Sequence, residues 1–248
     1  VADFNKQATG LDIIRAATAQ LALPVPIAAA SAPNDVTARQ MLALLNYAGR
    51  RLIKPTNGYR WQALRRTWQL TTNATDTQYD MPPDWDSFTD MTAWNFSSRL
   101  PMLGPATDQQ WMTLKARNLG SSTISVVYRT RGNKFEIYNT FTNPQDLRID
   151  YASRAWVQDG VDPLRFKDYV ETDSDLVLYD SDLITAALKL RFMVSKGFDT
   201  TAMQADYDDA LNAAISADTD APVLTLNQHS SYPLISTQFN APDTGFGV

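Results

Sequence analysis

Two groups of aspartates have spacings that could do chemistry. They are Asp173, Asp175, Asp180 and Asp182, and Asp84, Asp86 and Asp90. Carboxylates held at a fixed separation can act as acid and base on a glycosidic bond. Clustered oxygens can also hold calcium. Neither group has the glycine and terminal glutamate that a calcium loop places in register. Asp180 and Asp182 are already accounted for as helix-capping residues. Glutamate occurs only as Glu136 and Glu171, and histidine only as His229, between Gln228 and Ser230. Ser-His-Asp chemistry would need that histidine together with an orienting partner. Cysteine is absent, so disulfides, thiolate metal sites and a Cys nucleophile are excluded, and zinc is excluded by ligand count. The ten glycines are too scattered to form a phosphate loop or dinucleotide fingerprint. The residues therefore assign no catalytic group, no metal and no cofactor.

The aromatic residues are the other chemistry-bearing set. Trp61, Trp68, Trp85, Trp94, Trp111 and Trp156 all fall in or beside the middle of the chain. Exposed on a sheet, they could stack on sugars or bases. Buried, they supply core and inter-subunit packing, the commoner use of tryptophan. A basic run comprises Arg50, Arg51, Lys54, Arg60, Arg65 and Arg66. In a chain of net charge −5 it fits pairing with acidic protein faces better than gripping nucleic acid. No run of 18 apolar residues suggests a membrane span. Residues 21–32 resemble a signal-peptide core, but Pro24 and Pro26 interrupt it and Asp3 offsets Lys6.

The elements that must position these residues follow from periodicity. Residues 180–218 read as a helical hairpin. Asp180 and Asp182 sit at its N-terminus, and Leu183, Ala187, Leu190 and Val194 form a stripe. Gly197 caps the first arm, and Thr201-Ala202-Met203-Gln204 forms a capping box for the second. Met203, Tyr207, Ala210, Leu211 and Ala214 give the second arm its buried face. Residues 9–23 form a helix stopped by Pro24, and a long helix starting at Asn34 or Asp35 runs to about Lys54 and is stopped by Pro55. Trp68, Leu70, Tyr79 and Met81 flank residues 71–77 as a hairpin, and residues 91–96 form a strand. Residues 108–116 form a short helix. Strands follow at 124–129, 134–138 and 147–151, the first two joined by Gly132-Asn133, and Trp156 and Val157 extend the last. Residues 164–170 carry a turn of helix.

The expected fold is therefore α+β. A helical bundle forms from both chain ends around an inserted antiparallel β domain, and an extended C-terminal tail follows. The expected boundaries are 1–66 for the N-terminal helices and 67–158 for the β domain. The helical hairpin takes 159–218 and the tail 219–248. The tail is rich in Pro, Ser, Thr and Asn but keeps spaced apolar anchors, which suits extended docking.

In order along the chain, these stretches resemble one family. They are Trp61-Gln62-Ala63-Leu64, then Tyr79-Asp80-Met81-Pro82-Pro83-Asp84, then Trp111 in its short helix. Gly132-Asn133-Lys134-Phe135-Glu136-Ile137-Tyr138 follows, then Tyr151 with Arg154-Ala155-Trp156. Tyr179-Asp180-Ser181-Asp182-Leu183 and finally Tyr207 with Leu211 complete the set. The pattern is similar to the head-to-tail adaptors of short-tailed bacteriophages, also called tail tubular protein A or portal-docking neck proteins. The resemblance implies a structural virion protein of the neck, assembled in the host cytoplasm, and not an enzyme. It implies a homo-oligomeric ring, a dodecamer, that joins the portal to the tail nozzle and extends the DNA channel. Genomic DNA would pass through that lumen without specific binding, repelled by acidic walls. Under this expectation Leu224, Leu226, Leu234, Ile235, Phe239 and Phe246 dock on the portal. Trp85, Trp94 and Trp111 meet the nozzle or a neighbouring subunit. Two alternatives stand beside it: a phage-associated peptidoglycan hydrolase using aspartates, and a glycan-binding module using exposed tryptophans.

Overall fold

A computed structural model describes residues 7–32, 34–55, 58–117, 125–138 and 141–218. His229, the six tail anchors from Leu224 to Phe246 and the start of the strand expected at Ile124 lie outside these residues. The described chain is mixed α and β, with antiparallel sheets. It has two hydrophobic cores.

The first core is built by helices. Helix α1 spans Gly10–Gln20, and the Thr9 hydroxyl caps it by accepting from the Asp12 N–H at 3.1 Å. Helix α2 spans Val36–Leu52, with the Asp35 carboxylate accepting from the Ala38 N–H at 3.0 Å. A short 3-10 turn, Gln62–Leu64, follows and leads directly into strand β1, Arg65–Thr71. Helix α4, Ser181–Lys196, is the organising element. Asp180 caps it through the N–H groups of Asp182 and Leu183, and Gly197 ends it in the left-handed region at φ +72°. Leu183, Ile184, Leu188 and Leu190 are buried on α4, which packs on α1, α2 and α5 (Thr201–Asp218). That wide apolar face is why one helix can serve three neighbours. Val194, expected on the stripe, is exposed in the last turn. Trp156 is fully buried in this core, stacked on Tyr179, and its Nε1 donates to the Asp168 carbonyl at 2.7 Å.

The capping box expected at Thr201–Gln204 does not form. Asp199 takes the capping role, accepting from the Thr201 N–H and hydroxyl, and Gln204 reaches Asp208 instead. A reciprocal box does occur at the start of α3, Asp108–Ala116, between Thr107 and Gln110. At the far end of α5, the Asp218 carboxylate accepts from the Tyr59 hydroxyl at 2.8 Å and the Gln62 N–H at 2.9 Å.

The second core lies between two sheets. β1 runs antiparallel to β8, Asp146–Ser153, in unbroken register from Arg65 opposite Ala152 to Thr71 opposite Asp146. The other side of β8 pairs with β3 (Trp85–Phe88) and with β4 (Trp94–Asn95), which continues to β5 (Leu100–Pro101). The second sheet has the order β2 (Gln78–Asp80), β7 (Lys134–Ile137), β6 (Tyr128–Arg131). Gly132 and Asn133, both at positive φ, make the tight turn between β6 and β7. Phe135 fills the centre, edge-on to Trp68 at 5.2 Å and stacked with Tyr128 at 5.1 Å.

Three expectations change here. β1 and β2 are not a hairpin. Asn73 accepts from the Thr75 and Asp76 N–H groups, and this turn carries the chain from the first sheet into the second. Trp156 and Val157 do not extend β8. The Ser153 hydroxyl accepts from the Ala155 N–H and breaks the strand. The turn of helix expected at 164–170 is instead part of a small sheet. Its order is β10 (Phe166–Lys167), β9 (Val157–Gln158), β11 (Leu176–Val177). No helix among the described residues is long and apolar enough to cross a membrane.

Candidate docking surface

Most of the carboxylates singled out in the sequence are engaged within the chain, three of them in holding backbone. Asp173 accepts from the Ala29 and Ala30 N–H groups at 2.9 and 2.8 Å and from the Ser31 hydroxyl at 2.6 Å. Burial pushes its pKa up, but these donors outweigh burial and hold it below the ordinary carboxylate range. Asp175 is fully buried. Both its oxygens lie 2.8 Å from Lys167 Nζ, and it also accepts from Thr172 Oγ1 and the N–H groups of Glu171 and Thr172. Burial opposes its ionisation, yet Lys167 and the Thr172 donors win and hold the carboxyl well below its usual range. Asp84 accepts from the Tyr151 and Ser153 hydroxyls, and Asp86 pairs with Lys54 at 2.6 Å. Asp180 is a cap, while Asp90 is exposed. Among the described residues no group of three or more Asp, Glu or His side chains is placed to hold a metal ion.

The tryptophans divide sharply. Trp61 and Trp156 are buried in the helical core. Trp68 and Trp85 pack against the β core. Trp111 is 3 % exposed, with Arg129 over its ring at 4.4 Å and Tyr138 edge-on at 5.7 Å. The Nε1 atoms of Trp85 and Trp111 are buried without a hydrogen-bond partner. Of the six, Trp94 alone keeps a substantial free face, at 37 %.

Trp94 belongs to a surface that strand alternation builds. Leu147, Ile149 and Tyr151 of β8 turn into the core, so Asp146, Arg148 and Asp150 face outward. Arg148 stands opposite Gln69 on one neighbouring strand and Trp94 on the other. Asp146 grips Arg148 at 2.7 Å and raises its pKa by that hydrogen bond, while the guanidinium lies 4.3 Å over the ring of Phe96. Trp94, Arg148 and the exposed Phe96 thus form an aromatic–arginine patch, the composition of protein contact surfaces. Elsewhere on the β part, Leu103, Gly104, Pro105 and Ala106 face α3 across an open groove of about 760 Å³. The sequence reading found Trp94 but missed Arg148 and Phe96. The alternation of Leu147, Ile149 and Tyr151 was the signal that could have placed Arg148 outward.

The basic run is mostly spent inside the chain. Lys54 and Arg60 both reach Asp86, Arg50 reaches Asp168, and Arg66 reaches Asp84 while lying 3.5 Å over the Phe166 ring. Arg51 and Arg65 are exposed.

A family model, that of the SU10 adaptor protein, matches residues 8–227. The chain belongs to the SU10 adaptor protein family. Comparison with curated proteins finds no match. As an SU10 adaptor the chain is a structural component of a phage virion, and its work is contact with other phage structural proteins.

Proposed function

We propose that this adaptor is a neck protein. In this reading a ring of copies, a dodecamer by the resemblance above, joins the portal to the tail nozzle and extends the DNA channel. The observation that carries it is the two-core construction. Both ends of the described chain belong to the helical part, where Gln7 and Asp218 line one small cavity beside Trp61. The exposed aromatic–arginine patch belongs to the β part. An adaptor needs two separate docking regions, and this division supplies them. The bundle of helices and the tail, residues 219–248, engage the portal through Leu224, Leu226, Leu234, Ile235, Phe239 and Phe246. A tethered second contact of that kind raises affinity without enlarging the first. The β part meets the nozzle through Trp94, the exposed one of the three expected contact tryptophans, Trp111 being buried and Trp85 half-buried. A net charge of −5 lets DNA pass without being held.

Sedimentation of the purified chain, alone and mixed with portal rings of the same virus, tests the reading. A small species that shifts into a ring-sized complex is the expected result. A chain that stays small in the presence of portal rings removes the neck role.

A further inference from the structure

Strand β1 is hydrogen-bonded on one side only. Among the described residues β8 is its single strand partner, and no loop bond reaches the main chain of residues 66–71. Which groups face the open side follows from the ladder. The Thr72 N–H donates to the Gln145 carbonyl at 2.9 Å, so by alternation Leu70, Trp68 and Arg66 also turn their main-chain groups to β8. The Asp146 and Asp150 carbonyls point the other way, accepting from Phe96 and Thr89 at 2.8 Å. Their partners across the ladder, Thr71 and Thr67, therefore face the open side, with Gln69 between them. Nothing guards this edge. The register with β8 is unbroken, and beyond Arg66 the strand has no charge and no proline. Thr67, Gln69 and Thr71 are exposed, while Trp68 and Leu70 are half-buried against the β core.

An open edge of this kind takes an extended chain. Main-chain bonds complete the sheet, and alternate side chains decide which chain fits. The tail holds a matching stretch. Between Pro233 and Pro242, residues 234–241 contain no charge, glycine or proline. Ile235, Thr237 and Phe239 alternate there with Ser236, Gln238 and Asn240. The first row suits the inner face beside Trp68 and Leu70. The second suits the wet face beside Thr67 and Gln69, the in-and-out pattern of a sheet covered on one side.

We propose that residues 235–240 of one copy add as a strand to the open edge of β1 on the next copy. The inference rests on the ring reading and names its lateral contact. It takes Ile235 and Phe239 from the portal set and leaves the other tail anchors to it. Chain length argues for the next copy. Asp218 is hydrogen-bonded to Gln62, just ahead of β1, so a strand meant for the same copy would need only a short lead. Residues 219–234 instead extend to about 50 Å, the scale of a step to a neighbour. Symmetry argues the same way. A tail on an edge joins two different patches, the type of contact that closes into rings, whereas β1 on β1 would join like patches and stop at a dimer.

Photo-crosslinking tests this. The full chain carries a benzophenone amino acid at position 69, where the side chain faces solvent beside the edge. Isotopically light and heavy copies are mixed, assembled on portal rings of the same virus and irradiated. The expected adducts run from position 69 to residues 234–241 and join a light copy to a heavy one. In parallel, Gln69→Pro removes no bond to β8, because that N–H faces the open side. It is expected to shift the melting temperature by no more than about 3 °C. It should lower ring assembly about tenfold or more, by removing a donor and blocking the edge. Adducts to the portal, to β1 of another copy or within one copy would overturn the contact. Rings without adducts that also form normally from Gln69→Pro would do the same, and in each case the ring itself would stand. No ring-sized complex from the unaltered chain would overturn both.

Discussion

The indole of Trp156 lies against Gly49 so closely that a Cβ at position 49 would run into its six-membered ring. Gly49 is inside α2, where alanine is normally the better helix residue by about 1 kcal/mol. Here the overlap outweighs that gain. Trp156 is fully buried and its Nε1 is fixed to the Asp168 carbonyl, so the ring has nowhere to go. Gly49→Ala is expected to cost about 1–3 kcal/mol, the usual penalty of overpacking, and to lower the melting temperature by several degrees. A melt at or above that of the unaltered chain would show that the ring can yield.

Lys167 is the cation of a buried ion cluster, 2.8 Å from Asp175 and 3.1 Å from Asp159. Lys167→Met leaves Asp175 buried and ionised without its cation. Removing one partner of a buried pair costs about 3–5 kcal/mol, and the remaining Thr172 donors keep the loss toward the lower end. Chemical denaturation of the two proteins at neutral pH measures the difference.

The same cluster sets a pH dependence. Asp159 and Asp175 of the cluster are held below the ordinary carboxylate range, as is Asp173, which holds the separate turn at Ala29–Ser31. A depressed folded-state pKa contributes stability that is present above the unfolded value and is lost as pH falls through the folded one. Lys167 is shifted upward: burial pulls its pKa down, but Asp175 and Asp159 more than offset that. Its contribution is complete below the unfolded lysine value and is lost only as strong alkali titrates the folded group. Stability from this cluster is therefore flat through neutrality and falls only below about pH 4. A melting-temperature series from pH 7 to pH 2 checks this, and a fall beginning near pH 6 would contradict it.

Trp111 and Trp94 separate folding from contact. Trp111→Ala empties a buried site beneath Arg129 and is expected to cost about 3–5 kcal/mol. Trp94→Ala removes a ring with a free face, so its melting temperature should change much less. It should instead weaken binding to the nozzle by about tenfold, the effect expected of an exposed aromatic anchor. Equal thermal losses in the two variants would argue that Trp94 is structural.

Truncation after Ala221 removes every one of the tail anchors. It should leave the melt of the remaining chain unchanged and reduce its affinity for portal rings. Unaltered portal affinity would move the docking site away from Leu224–Phe246 residues altogether.

Much of the helical part was legible in the residues. Thr9, Asp35, Asp180 and Gly197 mark helix ends by local chemistry, and the structure uses each of them so. The Gly132-Asn133 turn was legible for the same reason, because both residues tolerate positive φ. Strand partners were not. Thr71 to Tyr79 has the composition of a hairpin, but which strand lies beside β1 is decided by β8, far along the chain. The capping box failed because Thr201 had a local competitor: Asp199 lies two residues earlier and accepts the same hydrogen bond. The exposure of the tryptophans was not legible. Tryptophan content pointed to six candidates, and only burial, a property of the assembled sheets, separates exposed Trp94 from covered Trp111.

The fastening of Asp218 to Tyr59 and Gln62 has a mechanical consequence. Tension applied through the chain beyond Asp218 does not reach α5 alone. It divides at that carboxylate between the last helix and the segment that runs from α2 into β1. The load is therefore shared between two segments of the helical core from the first increment of pull, and α5 cannot peel away until the clasp has let go. Asp218→Ala removes the clasp, and a chain so altered would begin to unravel from its C-terminal helix at lower force.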